Sequence, residues 1–326
     1  MLVIKNIETR YSGVNKITII GSGSVGSTIA YTATVMGLAS DIVMIDINEQ
    51  KALGEALDIR QGIPFCNPAT VRAGSYQDAV GSDIVIITSG LPRKPGQTRL
   101  DLAQANVNIM KSIASEIVKY APDATYVIVS NPVDILTYVF CKTTGIPENR
   151  VIGSGTILDT SRLRARIAEY YSVNQKNVHA YILGEHGDTA FVPWSIANIS
   201  NVPVEDYRSA VMKDDLYPEF DRDAVEDYVR KSGGRVIQRK GATFYAVSVS
   251  VCHLCKCLLN PIDTTLTVST MLHGEYGIDD VCLSLLSIVG NKQVQGKILL
   301  PLNEQEIISL NKSAESLKNV INQIEI

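Results

Sequence analysis

A doubly wound parallel α/β sheet followed by a second, mixed α+β lobe is the architecture that the sequence predicts, on three observations. Residues 16–46 read as strand, glycine turn, helix and strand: the apolar run 17–20 enters Gly21-Ser22-Gly23-Ser24-Val25-Gly26, and a second apolar run, 42–45, ends in Asp46. Apolar, β-branched runs recur at residues 83–88, 125–129 and 151–153 with helix-spaced segments between them, the alternation of a parallel sheet covered on both faces. Beyond residue 153 this alternation stops, and helices and strands follow in mixed order.

Each element has a local reason. Residues 1–15 form a mixed segment that reads as a frayed end or an arm on a neighbouring subunit. Gly21 permits a tight turn, Gly23 lets the backbone approach a pyrophosphate, and Gly26 lets the helix lie against the sheet, with phosphates at the helix N-terminus near Ser24 and Val25. Asp46 follows at the spacing, about 20 residues, from which a carboxylate reaches the ribose hydroxyls of a dinucleotide. Asp46 repels a 2′-phosphate and Ile47-Asn48 offers no Arg to receive one, so NAD is expected over NADP.

A helix is expected over 50–59, strands over 70–73 and 83–88, and Ser89-Gly90 at the end of the latter falls on the edge where such sheets bind ligands. Residues 91–99 then break all periodicity with two prolines, a glycine and three cations. Arg93 and Arg99 stand six apart there, as candidate anion contacts on a segment able to fold over a cofactor. A helix over 102–118 and a strand over 125–129 lead to Asn131, which Pro132 forces out of helical geometry and leaves at the strand tip with its amide free for a ligand carbonyl. After a helix over 133–143, the strand 151–153 is expected to close the sheet as its sixth parallel member. The first domain then spans 1–153 and the second 154–326, with helices over 159–171, 221–238, 242–259 and 304–320 and strands over 177–183, 266–271 and 281–288.

Composition narrows the function. With 45% hydrophobic and 20% charged residues the chain is an ordinary globular protein. No apolar run approaches the ~18 residues of a membrane span, and the N-terminal residues lack the apolar core of a signal peptide, so a cytoplasmic location is expected. A net charge of −4 with scattered cations gives no basic stripe, and nucleic acid is not an expected partner. The six cysteines form no small disulfide framework. Cys252-His253-Leu254-Cys255-Lys256-Cys257 invites a zinc reading, but it lies in an apolar helical stretch where Cys packs as a small hydrophobe, and no metal site is expected.

The sharpest feature of the second half is Gly184-Glu185-His186-Gly187-Asp188, a histidine between glycines directly after an expected strand. Asp159 and Arg162 stand one helical turn apart, on one face. An Asp behind an imidazole fixes its tautomer and stabilises its protonated form. An Arg grips a carboxylate in a bidentate fork. A nicotinamide, an acid–base His and a carboxylate clamp together point to hydride transfer at a carbon next to a carboxylate.

Taken with the segments 130–134 and 155–162, these motifs resemble the NAD-dependent L-lactate/L-malate dehydrogenase family, in order and over essentially the whole chain. The resemblance implies a Rossmann cofactor domain and a homo-oligomer, dimer or tetramer. It implies that Arg99 polarises the substrate carbonyl from a closing loop, Asn131 orients that carbonyl, Arg162 binds the carboxylate, and His186 with Asp159 exchanges the proton. Family members select substrate at the position of Arg93, where malate enzymes resemble the Arg pattern and lactate enzymes carry Gln. Gly233-Gly234 also looks malate-type, whereas Glu185, Trp194-Ser195 and Thr243 at the pocket look lactate-type. Oxaloacetate/L-malate is therefore the expectation, with pyruvate/L-lactate or dual activity as the alternative. Arg164 and His179 match the pair that binds fructose 1,6-bisphosphate across a subunit interface in bacterial lactate enzymes, which would make the enzyme allosteric. Two rivals stand beside this: a non-catalytic NAD-binding sensor, which has no use for Asp159, Arg162 and His186 together, and a metal-dependent glycosidase of the same fold, which needs a metal site.

Overall fold

The computed structural model describes residues 15–92, 99–211, 217 and 219–326. The segment 1–14 of the expected N-terminal arm lies outside them, as do Arg93 and the side chain of Arg99. The first half runs β1 (Lys16–Ile20), α1 (Ser24–Met36), β2 (Asp41–Ile45), α2 (Glu49–Gln61), β3 (Thr70–Ala73), β4 (Ile84–Ile87), α3 (Arg99–Tyr120), β5 (Thr125–Ile128), α4 (Val133–Thr144) and β6 (Val151–Gly153). These strands pair in parallel in the order β3-β2-β1-β4-β5-β6. The order reverses between β1 and β4, and the carboxyl ends of those two strands open the crevice in which such sheets take ligands.

The unbroken apolar runs follow from burial on both sheet faces. Ile20, Val43, Ile45, Val85 and Ile87 pack with Val107, Met110 and Leu136 of α3 and α4. Their sequence neighbours Ile17, Ile19, Ile42, Met44 and Ile84 pack on the opposite face with Ile29 and Ala33 of α1. Alternation is thus present in the side-chain directions but invisible in the residue types.

The second half contains α5 (Ile157–Tyr170), β7 (Val178–His179), β8 (Asn198–Ile199), β9 (Val202–Pro203), α6 (Tyr207–Ala210), α7 (Arg222–Lys240), α8 (Tyr245–Leu258), β10 (Thr264–His273), β11 (Asp279–Gly290), β12 (Gln293–Lys297) and α9 (Glu304–Ile321). Here the structure corrects two expectations. The sheet does not close at β6: β10 lies antiparallel beside it through Ser269 and Gly153, and β11 and β12 extend it to nine strands. Gly153 permits this approach, because a Cβ there would lie 2.4 Å from Thr137 Oγ1 and 2.9 Å from Ser269 Cβ. Residues 177–183 are not one strand either. Only Val178–His179 pairs in the small sheet β7-β8-β9, while Leu183 bridges to Phe191 and Gly184 to Ser284, so the extended segment changes partners along its length.

Helix α8 behaves as its apolar composition predicts. Cys252 and Cys255 are buried and free, and the Cys252 thiol lies 3.6 Å from the Ile29 carbonyl of α1. Among the described residues, no helix is long and apolar enough to cross a membrane.

Candidate functional site

The glycine turn between β1 and α1 has the shape its spacing predicts. Gly21 sits at φ +103°, a conformation only glycine adopts freely. At Gly26 a Cβ would fall 1.8 Å from the Gly21 carbonyl oxygen, so no larger residue fits, whereas a Cβ on Gly23 would meet nothing within 4 Å and the space outside it is open. Thr88 at the end of β4 straps the turn by donating to the Gly21 carbonyl at 3.0 Å. No side chain caps the α1 N-terminus, so the first-turn N–H groups at Ser24 and Val25 are left for an anion. Asp46 accepts from the Ser22 N–H at 2.6 Å and the Asn48 N–H at 2.9 Å. A carboxylate has further lone pairs, and those of Asp46 stay available to ribose hydroxyls. On the neighbouring strand, the Ser89 carbonyl is held by the Ser130 hydroxyl at 2.6 Å, with Gly90 exposed next to it. This is a cradle for a dinucleotide: an open, uncapped helix N-terminus with an acid at the tip of β2.

The second cluster lies across the crevice. His186 Nδ1 is 2.5 Å from Asp159 Oδ2, and Asp159 Oδ1 accepts from Arg162 Nη1 at 2.8 Å. Asp159 and Arg162 share one face of α5, as their spacing predicts. All three line a cavity of about 320 Å³ together with Asn131, Thr243 and the Gly233-Gly234 pair of α7. Burial works against charge on Asp159, but His186 and Arg162 outweigh it and hold the carboxyl below its usual range. Burial likewise disfavours the His186 imidazolium, yet Asp159, aided by Asp134, raises the imidazole pKa above its ordinary value, against a smaller opposing effect of Arg162. The ring is 30% exposed, and Nδ1 is the nitrogen that Asp159 engages.

Three supporting residues were not singled out from the sequence. Asn106 in α3 accepts from the Leu91 N–H at 2.7 Å and donates to the Asn131 carbonyl at 2.7 Å, tying the loop entrance to the strand tip. Asp134 accepts from the His186 backbone N–H at 2.7 Å. Ser313 of α9 accepts from the Glu185 N–H at 2.7 Å and bonds the Thr189 hydroxyl at 2.9 Å. Each sits at an ordinary helical position, and the only signal in the sequence was a polar residue on a stripe that otherwise packs inward. Arg164 lines a second cavity, of about 660 Å³, with Lys176 and His253. His179, exposed on β7, is not among the residues that line it.

Comparison with known proteins gives this geometry a lineage. The chain is 45% identical over 313 residues to an L-lactate dehydrogenase of Acetivibrio thermocellus, covering 96% of this chain and 98% of that one. It is 46% identical over 308 residues to an L-lactate dehydrogenase of Clostridium botulinum, covering 94% and 96%. Among solved structures, that of a minor L-lactate dehydrogenase from Enterococcus mundtii superposes with a TM-score of 0.91 at 38% identity, over 96% of this chain and 99% of that one. Residues 15–153 match the model of the lactate/malate dehydrogenase NAD binding domain, so NAD is the cofactor, and residues 156–326 match that of the alpha/beta C-terminal domain. With both halves matched in order, the chain belongs to the lactate/malate dehydrogenase family of oxidoreductases.

Proposed function

We propose that the protein interconverts pyruvate and L-lactate with NAD, and that Arg162, Asp159 and His186 carry the chemistry of its second half, beyond a cofactor half ending at Gly153. The observation behind the chemistry is the hydrogen-bonded row Arg162–Asp159–His186 on the wall of one cavity with Asn131. Gly21, Gly23, Gly26, Ser24, Val25, Asp46, Ser89 and Gly90 would hold NAD, which when bound supplies or accepts the hydride. Arg162 uses one Nη on Asp159 and keeps other N–H groups for the substrate carboxylate. Protonated His186 donates to the carbonyl oxygen during reduction and takes the proton back during oxidation, while Asp159 stabilises the imidazolium. Arg99 and the Asn131 amide stabilise the charge that develops on that oxygen.

Pyruvate is preferred to oxaloacetate because the relatives named above are L-lactate dehydrogenases, and because Thr243, the lactate-type residue by resemblance, lines the cavity beside His186. This reverses the preference drawn from Arg93. The malate reading keeps one support, Arg93 itself, whose guanidinium pairs with a distal carboxylate in a charge-assisted contact of about 1.5–3 kcal/mol. Comparing kcat/KM for pyruvate and oxaloacetate on the native protein and on Arg93→Gln decides between them. Pyruvate leading in both proteins is the expected result. Oxaloacetate leading in the native protein, with the order reversed by the substitution, makes this a malate dehydrogenase. Absence of turnover with every small 2-oxo acid would favour the sensor reading.

A homo-oligomer is also proposed. Helix α1 packs against α2 and α8, and these helices leave Tyr31 58%, Val35 54%, Leu53 43%, Tyr245 66% and Val249 55% exposed, more apolar surface than isolated residues explain. Fructose 1,6-bisphosphate binding through Arg164 and the His179 of a neighbouring subunit belongs to that same proposal.

A further inference from the structure

The segment that carries His186 is held at its backbone by a buried carboxylate. Asp134, in the first turn of α4, is 3% exposed; its Oδ2 accepts the His186 N–H at 2.7 Å, and the buried Ser269 hydroxyl of β10 faces the same carboxyl. The same turn begins at Asn131-Pro132, so the residue that orients the substrate carbonyl and the residue that protonates it are joined through three positions of chain and one charge-assisted bond. An amide would hold a backbone N–H as well. A buried carboxylate costs more than a buried amide would, so the hydrogen bond alone gives no reason for an Asp. What the carboxylate adds is negative charge beside the imidazole.

The surroundings make that charge matter. His186 is faced by Asp159 and Arg162 from α5 and by Asp134 from α4, and Asp188 of its own segment and Glu226 and Arg230 of α7 line the same cavity. Asp134 is faced by His186, by Glu185 and by the buried Ser269 hydroxyl of β10. Asp159 and Asp134 both favour the imidazolium, and Arg162 opposes them. Burial pushes the Asp134 carboxyl up to about 6, against which the Ser269 hydroxyl and His186 favour its ionised form. Its charge therefore changes in the range in which an imidazole ordinarily titrates.

We infer that Asp134 is a positioning residue that acts through His186: a second negative charge, after Asp159, that favours the imidazolium, while its hydrogen bond keeps the ring beside Asn131. The inference rests on the reading of His186 as the proton-exchanging residue.

The test is kcat/KM against pH in both directions, with whichever 2-oxo acid turns over faster, on the native protein, Asp134→Asn and Ser269→Ala. Asn keeps the shape and an oxygen for the His186 N–H and removes only the charge. The falling limb of reduction and the rising limb of oxidation should both move to lower pH in Asp134→Asn. They should move the same way, by less, in Ser269→Ala, which removes a hydroxyl that favours the ionised carboxyl. Limbs that stay in place in both folded variants overturn the inference, and Ser269→Ala decides alone if Asp134→Asn does not fold. His186→Ala separates the two claims. Turnover surviving there overturns the role of His186 and the inference with it; turnover abolished there, with unmoved limbs in Asp134→Asn, overturns the inference alone.

Discussion

At the residue scale, the proposed chemistry depends on one imidazole kept basic in a place that disfavours its charge. Burial lowers the proton affinity of His186, and Asp159 at 2.5 Å more than restores it. The sign of the pH dependence follows. Reduction needs the imidazolium, so kcat/KM for the 2-oxo acid holds at low pH and falls as pH rises through the raised His186 pKa; oxidation rises through the same midpoint. Asp159→Asn should move both midpoints to lower pH, and a profile that does not move separates Asp159 from the titration. His186→Ala should lose about 10²- to 10⁴-fold in kcat, with NADH affinity by fluorescence titration unchanged. Asp159 and Arg162 were legible as a pair because they stand one helical turn apart, and His186 because glycines flank it; the expectation that His186 works with Asp159, 27 residues away, rested on residue chemistry and the family resemblance, not on spacing. Asp134 was not, because its partner is a backbone N–H 52 residues away, and nothing in the residues 131–134 announces that distance.

At the element scale, the His186 loop is held from two sides. Helix α4 contributes Asp134, while α9 contributes Ser313 to the Glu185 N–H and Glu306 to the Ser195 N–H at 3.0 Å and the Ser195 hydroxyl at 2.6 Å. Glu306 also completes the capping box of α9 with Asn303, so one carboxylate starts the helix and anchors the end of the loop. Ser313 is fully buried. Its replacement by Ala leaves the Glu185 N–H without its acceptor, and urea denaturation should show a loss of about 1–3 kcal/mol; unaltered stability would mean that Asp134 and Glu306 suffice. The longer helices were readable from apolar periodicity, with ends shifted by at most three residues, whereas the four-residue α6 is too short to show a period. The strand expected over 177–183 was not, since an extended run carries no record of which edge it meets, and this one meets three.

At the scale of the whole molecule, both halves share one sheet. β10 to β12 continue the parallel strands, and α4 packs against β10 and β11, so the strand tip carrying Asn131 and the loop carrying His186 are set by one packed body. Assembly adds a further level. If Arg164 and His179 meet only across a subunit boundary, fructose 1,6-bisphosphate should steepen or left-shift a pyruvate saturation curve and move the sedimentation profile toward the larger species at low protein concentration. Superimposable curves at concentrations where the subunits dissociate would remove both residues from any regulatory role.

The sequence by itself determined the βαβ cofactor unit, the glycine turn, the acid at the tip of β2, the preference for NAD, the order of helices and most strands, and the pairing of Asp159 with Arg162 on one helix face. All of these are encoded within a turn or a single supersecondary unit, where spacing fixes geometry. Tertiary structure decided what spans the chain: that the sheet runs on past β6, that a Cβ at residue 153 would block it, that Asp134 and Ser313 grip the His186 loop, and that Arg164 lines a cavity whose described lining does not include His179. Contacts between residues far apart in sequence depend on which faces meet, and a local pattern of polar and apolar residues says only that a face exists.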